Sequence, residues 1–151
     1  MFDVQTPEEY FFHIQQSITN YQKSKNKSIE RLFFILNGLN HLREWIAPNY
    51  KPKYPAQNKG EDFFNLIWKF EQFKTINELC NGTKHFDCAP ANTKGIYGLP
   101  IDEWDSVDDV QNFDEGPPIA FTLNGIDVLI YIREVLDFYE HEWFSKMGRS
   151  E

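Results

Sequence analysis

The sequence contains few cysteines, no long apolar run and no signal peptide, and each absence excludes a class of protein. Cys80 and Cys88 are the only cysteines in 151 residues, which argues against a disulfide-rich secreted scaffold. No stretch approaches the ~18 consecutive apolar residues that indicate a membrane span. The N-terminus lacks the basic and apolar regions of a signal peptide. We therefore expect a cytoplasmic protein with reduced thiols and no membrane partner.

Cofactor and ion-binding motifs are also missing. Residues 95–98, Gly-Ile-Tyr-Gly, have neither the lysine nor the following helix of a phosphate-binding loop. Residues 102–109 lack the alternating ligands and the glycine of an EF-hand loop. The sequence thus predicts no cofactor and no bound metal ion.

Negative charge is concentrated in one segment. The chain carries 23 acidic and 15 basic residues, a formal net charge of −8. Seven of the acidic residues lie in residues 102–115, and the other 16 nearly balance the 15 basic ones. Charge therefore disfavours broad binding of RNA, with a local basic patch as the alternative. The acidic loop 102–115 is either a solvated surface or the contact for a basic protein partner.

The chain is rich in aromatic residues, which make up 17% of it and include 14 Phe and 4 Trp. This provides enough apolar surface for a single folded domain of 151 residues. Apolar periodicity and capping residues predict helices over residues 7–23, 28–46, 61–80 and 127–145. The first begins with Thr6 as N-cap and Pro7 at the first helical position.

Between the third and fourth predicted helices the pattern changes. Residues 118–123 are typical of a strand, and Asn124-Gly125 is a strong signal for a tight turn. We expect a β segment over about 95–125, with this strand paired either to residues 95–101 or to Ile126. The predicted fold is mainly α, an up-down four-helix bundle with a small β-hairpin insertion before the last helix.

The second predicted helix is apolar on two faces. Opposite its main stripe it carries Phe34, Gly38, His41 and Trp45. A helix of this kind is central or supplies a subunit interface. A small residue lets helices approach closely, and aromatic side chains anchor interfaces. We therefore expect a homodimer formed through these four residues.

Two sets of residues raise the question of a metal site. His13, His41 and His141 would lie near one end of a bundle, but helical spacing places them on different faces. Cys80, His85 and Cys88 provide three ligands, whereas structural zinc uses four. Surface or interface histidines and a buried Cys80 are therefore favoured over a metal site.

A polar cluster follows the third predicted helix and contains Asn81, Lys84 and His85. If helices two and three are antiparallel, the lysines of residues 23–27 lie nearby. A histidine that titrates near neutral pH beside lysines is the minimum equipment for RNA cleavage, in which the 2′-hydroxyl is the nucleophile. The structural alternative is that Asn81 ends the helix, Lys84 is solvated and His85 bonds a carbonyl group.

At these residues the chain resembles bacterial HEPN-like helical domains. Those domains have four or five helices, are usually dimeric, and many are RNases of toxin–antitoxin and phage-defence systems. Their signature is an arginine followed four to six residues later by a histidine. His85 matches the histidine and Asn81 a polar residue near the helix end, whereas residues 78–80 are Glu, Leu and Cys.

The resemblance implies two functions. In one, the chain is an inactive, antitoxin-like binding member, and the leading interpretation is a small interaction module of a bacterial accessory or defence system. In the other, it is a divergent metal-independent RNase. His85 would then be the general acid/base, Lys84 would stabilise phosphate charge and Asn81 would orient the substrate.

Overall fold

The chain folds into helices with a small sheet, and the computed structural model describes residues 4–24, 27–49, 51–90 and 119–146. Within these residues there are five helices: α1 (Pro7–Lys23), α2 (Ile29–Ile46), α3 (Lys59–Trp68), α4 (Glu71–Cys80) and α5 (Val128–Tyr139). The strands are β1 (Asp87–Pro90), β2 (Ile119–Leu123) and β3 (Ile126–Asp127). The fold is thus mainly helical with an antiparallel hairpin before the last helix, as the sequence predicts.

α1 and α2 begin at the capping residues that the sequence indicates. The Thr6 hydroxyl accepts a hydrogen bond from the Glu9 N–H, and the Glu9 carboxylate accepts from the Thr6 N–H. This reciprocal pair satisfies two backbone donors that the first turn would otherwise leave unpaired. Ser28 caps α2 through its hydroxyl alone, which accepts from the Arg31 N–H.

The sequence predicts one helix over 61–80, and this is wrong because the chain breaks after Trp68. Lys69 ends α3, and Phe70 is extended, with φ −76° and ψ 121°. The ring of Phe70 stacks on that of Phe138 in α5, with centroids 4.6 Å apart. This contact offsets the lost helical hydrogen bonds. The break gives five helices where four are expected, and the up-down bundle order stays a prediction.

The sheet has the order β1-β2-β3, with both pairs antiparallel. Leu123 pairs with Ile126 across the turn, one of the two pairings expected. Asn124 and Gly125 have φ of 55° and 78°, as two-residue hairpin turns require. The sequence does not predict β1, which pairs with β2 on its other side. The expected partner 95–101 and the acidic loop 102–115 lie outside the described residues.

The core is built from apolar side chains of all five helices and of β2. A polar contact inside it joins α5 to α2, since the Tyr139 hydroxyl donates to the Leu39 carbonyl at 2.6 Å. Between α1 and α2, Gly38 leaves room for Ile14, and a Cβ added at Gly38 would lie 2.9 Å from Ile14 Cγ1. None of the described helices is both long enough and apolar enough to cross a membrane.

α5 continues past Tyr139 as a π-helical turn, Glu140–Phe144. Phe144 stacks on Phe11 of α1, with ring centroids 4.2 Å apart. The ring centroid of Trp143 lies 5.7 Å from that of Phe63 in α3. The last predicted helix, 127–145, is thus helical from Val128 onward but not uniformly α-helical, and its end is packed against two other helices.

Candidate functional site

A groove about 570 Å³ in volume lies between α1 and α2. α1 contributes Tyr10, His13, Gln16, Ser17 and Asn20. α2 contributes Phe34, His41 and Trp45. We call this surface the α1/α2 groove. Two of its lining residues, Tyr10 and Trp45, have rings that meet edge to face with centroids 5.0 Å apart.

Three of the four residues predicted for an interface line this groove, namely Phe34, His41 and Trp45. Their side chains remain accessible, with Trp45 41% and Phe34 36% exposed. Gly38 is different, because it is buried behind the groove against Ile14. Its small size serves the packing of α1 on α2 within one chain. Gly38 therefore shapes the groove and does not lie on its surface.

The α1/α2 groove has almost no formal charge. None of its lining side chains is Asp, Glu, Lys or Arg. The nearest carboxylate that contacts it is Glu44, whose Oε2 lies 3.3 Å from His41 Nδ1. Burial and then the charge of Glu44 raise the pKa of the Tyr10 hydroxyl, so this group stays protonated at neutral pH. The groove can thus accept apolar and hydrogen-bonding groups, and it has little electrostatic attraction for a charged ligand.

In the sequence, the contribution of α1 to this groove is indicated by a stretch without charged residues. Residues 10–22 contain no Asp, Glu, Lys or Arg, and neither do residues 32–42 of α2. In a chain with 25% charged residues, the exposed face of an amphipathic helix normally carries such residues. Sequence reasoning found the aromatic face of α2 and missed the neutral face of α1, because its polar residues look like ordinary solvated positions.

The predicted catalytic residues Asn81, Lys84 and His85 are exposed at the end of α4. Asn81 caps the helix, and Gly82 follows with φ 76°, which fits the predicted helix stop. Lys84 Nζ lies 3.0 Å from Glu78 Oε1. The chain thus pairs the one lysine of the cluster with a carboxylate, which reduces the attraction of this surface for phosphate.

Of the lysines expected beside this cluster, Lys27 has another role. Lys27 Nζ donates to the carbonyl oxygens of Tyr21, Gln22 and Ser24 at 2.6–3.0 Å. It therefore stabilises the C-terminal end of α1, where unpaired carbonyls accumulate. Burial lowers the pKa of Lys27 to about 8, against the opposing effect of Asp127. Lys25 lies outside the described residues.

A residue that sequence reasoning did not single out, Arg43, is buried at the centre of the molecule. Its guanidinium carbon lies 5.4 Å from the ring centroid of Phe64, 4.6 Å from Trp68 and 5.0 Å from Phe73. Its Nη1 donates to the Asn40 carbonyl and to Asn40 Oδ1. Burial lowers its pKa, yet arginine remains charged at neutral pH. Its other partner is a carboxylate, since Glu44 Oε2 lies 3.7 Å from Arg43 Nη2, so aromatic faces and a partly exposed acidic group hold this cation together.

Hydrogen bonds connect this buried arginine to the end of α4. Asn40 Oδ1 also accepts from Asn77 Nδ2 at 2.9 Å, and Asn77 Oδ1 accepts from Asn81 Nδ2 at 3.1 Å. Asn81, which the sequence suggests as a substrate-orienting residue, is thus the outermost residue in a series of side-chain hydrogen bonds that begins at Arg43. Its amide is engaged in the fold.

The described residues contain no group of three or more His, Cys, Asp or Glu side chains close enough to hold a metal ion. His13 and His41 both line the α1/α2 groove, whereas His141 is exposed on the π-helical turn. Burial raises the pKa of the Cys80 thiol to about 11, so it is protonated at neutral pH and a poor nucleophile or ligand. The side chain of Cys88 lies outside the described set.

Comparison with models of protein families, with curated proteins and with solved structures finds no match to this chain.

Proposed function

We propose that this chain is a protein-interaction module that self-associates, with the α1/α2 groove of one copy facing a second copy. The observation that carries this proposal is the uncharged, partly aromatic lining of the α1/α2 groove, which lies between two helices whose residues 10–22 and 32–42 contain no Asp, Glu, Lys or Arg. Centres of protein interfaces are depleted in charged residues and enriched in Tyr, Trp and Phe. Tyr10, Phe34 and Trp45 provide those aromatic groups here.

The net charge of the chain favours this face for self-association. Two copies that each carry a formal charge of −8 repel one another. A contact through the groove brings no Asp, Glu, Lys or Arg of its lining together. Like charges placed opposite each other cost several kcal/mol, by order of magnitude. The neutral face is thus the one on which two copies meet at the lowest electrostatic cost.

The contact residues of the proposed dimer differ from those expected from α2 alone. Phe34, His41 and Trp45 remain, and residues of α1 join them, whereas Gly38 acts only by setting the distance between α1 and α2. Trp45 is the expected anchor, because it is 41% exposed in one chain and its ring is fixed by Tyr10. Fixed aromatic side chains lose little conformational entropy on binding.

The test is the molar mass of the wild type and of Trp45→Glu by light scattering over a range of concentrations. We expect a dimer for the wild type and a monomer for the variant. Leu66→Glu is the matched control, since Leu66 is 47% exposed on α3 and does not line the groove; it should remain dimeric. A monomeric wild type at every concentration, or a dimeric Trp45→Glu, would overturn the proposal.

The RNase alternative has less support from the arrangement of its residues. Lys84 contacts Glu78, and Asn81 contacts Asn77. A catalytic role for His85 would need a second cation or an orienting group close by. The interaction module requires no such group, and it is therefore the function that we put forward.

A further inference from the structure

We propose that Phe12 of each copy inserts into the α1/α2 groove of the other, an inference that rests on the proposed function. Phe12 is 54% exposed, more than any other large apolar side chain in the described helices. It follows the buried Phe11 directly, so the turn of the helix sends the two rings in different directions. Phe12 thus projects from the molecule with more than half of its surface exposed, and its one ring contact within the described chain is the edge of His13.

Phe12 lies immediately beside the groove. Its ring is 5.8 Å, centroid to centroid, from that of His13, which lines the groove. Successive helical residues point about 100° apart, so Phe12 stands on the outer side of α1 while His13 faces the cavity. Phe12 cannot turn back into its own groove without rotating α1, whose inner face is fixed by Phe11 and Ile14.

A projection beside a cavity is self-complementary under two-fold symmetry. In such a dimer the same patch is used twice, and residue i of one copy contacts residue j of the other while j contacts i. Two Phe12 side chains would therefore fill two grooves in one contact. The groove, about 570 Å³, is lined by Tyr10, Phe34 and Trp45, with which a phenyl ring packs favourably.

The neighbours of Phe12 are compatible with burial in such a contact. The exposed positions that follow it along α1 are His13, Gln16, Thr19 and Asn20, none of which is Asp, Glu, Lys or Arg. The nearest charged residues on either side along α1 are Glu9 and Lys23. They would lie at the rim, where charge is retained in protein interfaces. The rim and centre of the proposed contact thus have the expected composition.

The experiment exchanges charges between projection and groove. One chain carries Phe12→Asp and the other Trp45→Lys, each is measured alone and mixed in equal amounts, and association is followed by sedimentation. Each variant alone should dissociate at least ~30-fold more readily than the wild type, as for loss of a hot spot. The mixture should recover a dimer, because one contact pairs Asp with Lys and the other keeps Phe12 against Trp45.

The possible results separate this inference from the proposed function. If Trp45→Lys alone remains dimeric, the groove is not the interface and both fail. If Phe12→Asp remains dimeric while Trp45→Lys is monomeric, the groove holds but Phe12 is not its occupant. If both are monomeric and the mixture stays so, Phe12 does not oppose Trp45. Leu66→Asp is the control for adding a carboxylate, and unchanged circular dichroism verifies that each variant folds.

Discussion

Arg43 lies against the face of Trp68, with its guanidinium carbon 4.6 Å from the ring centroid, and is only 5% exposed. α2 thus supplies the cation, while α3 and α4 supply aromatic rings that hold it, so the break between α3 and α4 has a role in packing. In a single straight helix, the side chains of Trp68 and Phe73 would both project from the same helix axis. The two shorter helices place both rings around one side chain.

Arg43→Lys should destabilise the fold although it preserves charge. Lysine has no planar fork with which to contact Asn40 and several rings at once. We expect the free energy of unfolding to fall by about 2–3 kcal/mol, since desolvated cation–π contacts and charged hydrogen bonds are each of that order. Urea denaturation measures the change. Arg31→Lys, at an exposed position of the same helix, should be nearly neutral; equal effects of the two changes would contradict the role given to Arg43.

Asp127→Asn should alter how stability depends on pH. Burial raises the pKa of Asp127 to about 6, from an ordinary value of 3.8. The folded state therefore binds the proton of the Asp127 carboxyl group more tightly than the unfolded state does. The stability that this protonated group contributes is fully present below pH 3.8 and is lost as the pH rises through about 6. Asparagine keeps the oxygen that accepts from the Leu129 N–H at 2.8 Å and has no proton to lose.

The measurement is the difference in unfolding free energy between the wild type and Asp127→Asn at several pH values. Relative to the variant, the wild type should lose roughly 2–3 kcal/mol between about pH 4 and pH 7. Asp62→Asn, at an exposed carboxylate in the first turn of α3, serves as the control. Its unfolding free energy should depend on pH in the same way as that of the wild type. If the unfolding free energies of the wild type and Asp127→Asn also depend on pH in the same way, Asp127 does not titrate as described.

Gly38→Ala should destabilise the monomer, which distinguishes packing within the chain from a direct contact between subunits. The added Cβ would meet Ile14 Cγ1 at 2.9 Å, and Ile14 is fully buried, so neither group has space to move. Overpacking of about 1–3 kcal/mol should exceed the gain of about 0.5–1 kcal/mol from helix propensity. Thermal unfolding tests this, with Asn37→Ala at the exposed neighbouring position as control. A more stable Gly38→Ala would disprove the close approach of α1 and α2.

His85→Ala should leave stability unchanged, because the side chain is exposed and surface changes are usually within about 0.5 kcal/mol. For an interaction module, neither the wild type nor the variant should cleave total tRNA or mRNA in the absence of added metal. Cleavage by the wild type that is lost in His85→Ala would instead support the RNase alternative. Cleavage by both to the same extent would indicate a contaminant.

The parts of the fold that follow from local sequence signals were predictable. The start of α1 follows from Thr6, Pro7 and Glu9, and the β2–β3 turn follows from Asn124-Gly125, because these residues bond or bend their own backbone. The break at Phe70 was not predictable in this way. Its reason is a contact with Phe138, far away in the sequence, and an apolar pattern on all sides of a segment gives no sign of where its axis changes.

The candidate site was predictable only in part, for a similar reason. The aromatic side of α2 is visible in the sequence, so Phe34, His41 and Trp45 could be named. The second wall of the groove depends on how α1 lies against α2, which Gly38 and Ile14 decide. Arg43 was missed because a charged residue near a helix end is usually exposed, and the rings that surround it come together only when α3 and α4 pack on α2.

The π-helical turn at Glu140–Phe144 makes the packing of this helix end depend on the number of residues in it. Such a turn accommodates one residue more than an α-helix would over the same rise, as a single-residue insertion does. Without that residue, the side chains beyond it would rotate by about 100°. Trp143 and Phe144 would then leave Phe63 and Phe11. Deleting the exposed His141 would therefore cost more than substituting it, because spacing along the chain, and not the imidazole, is what the packing of this helix end requires.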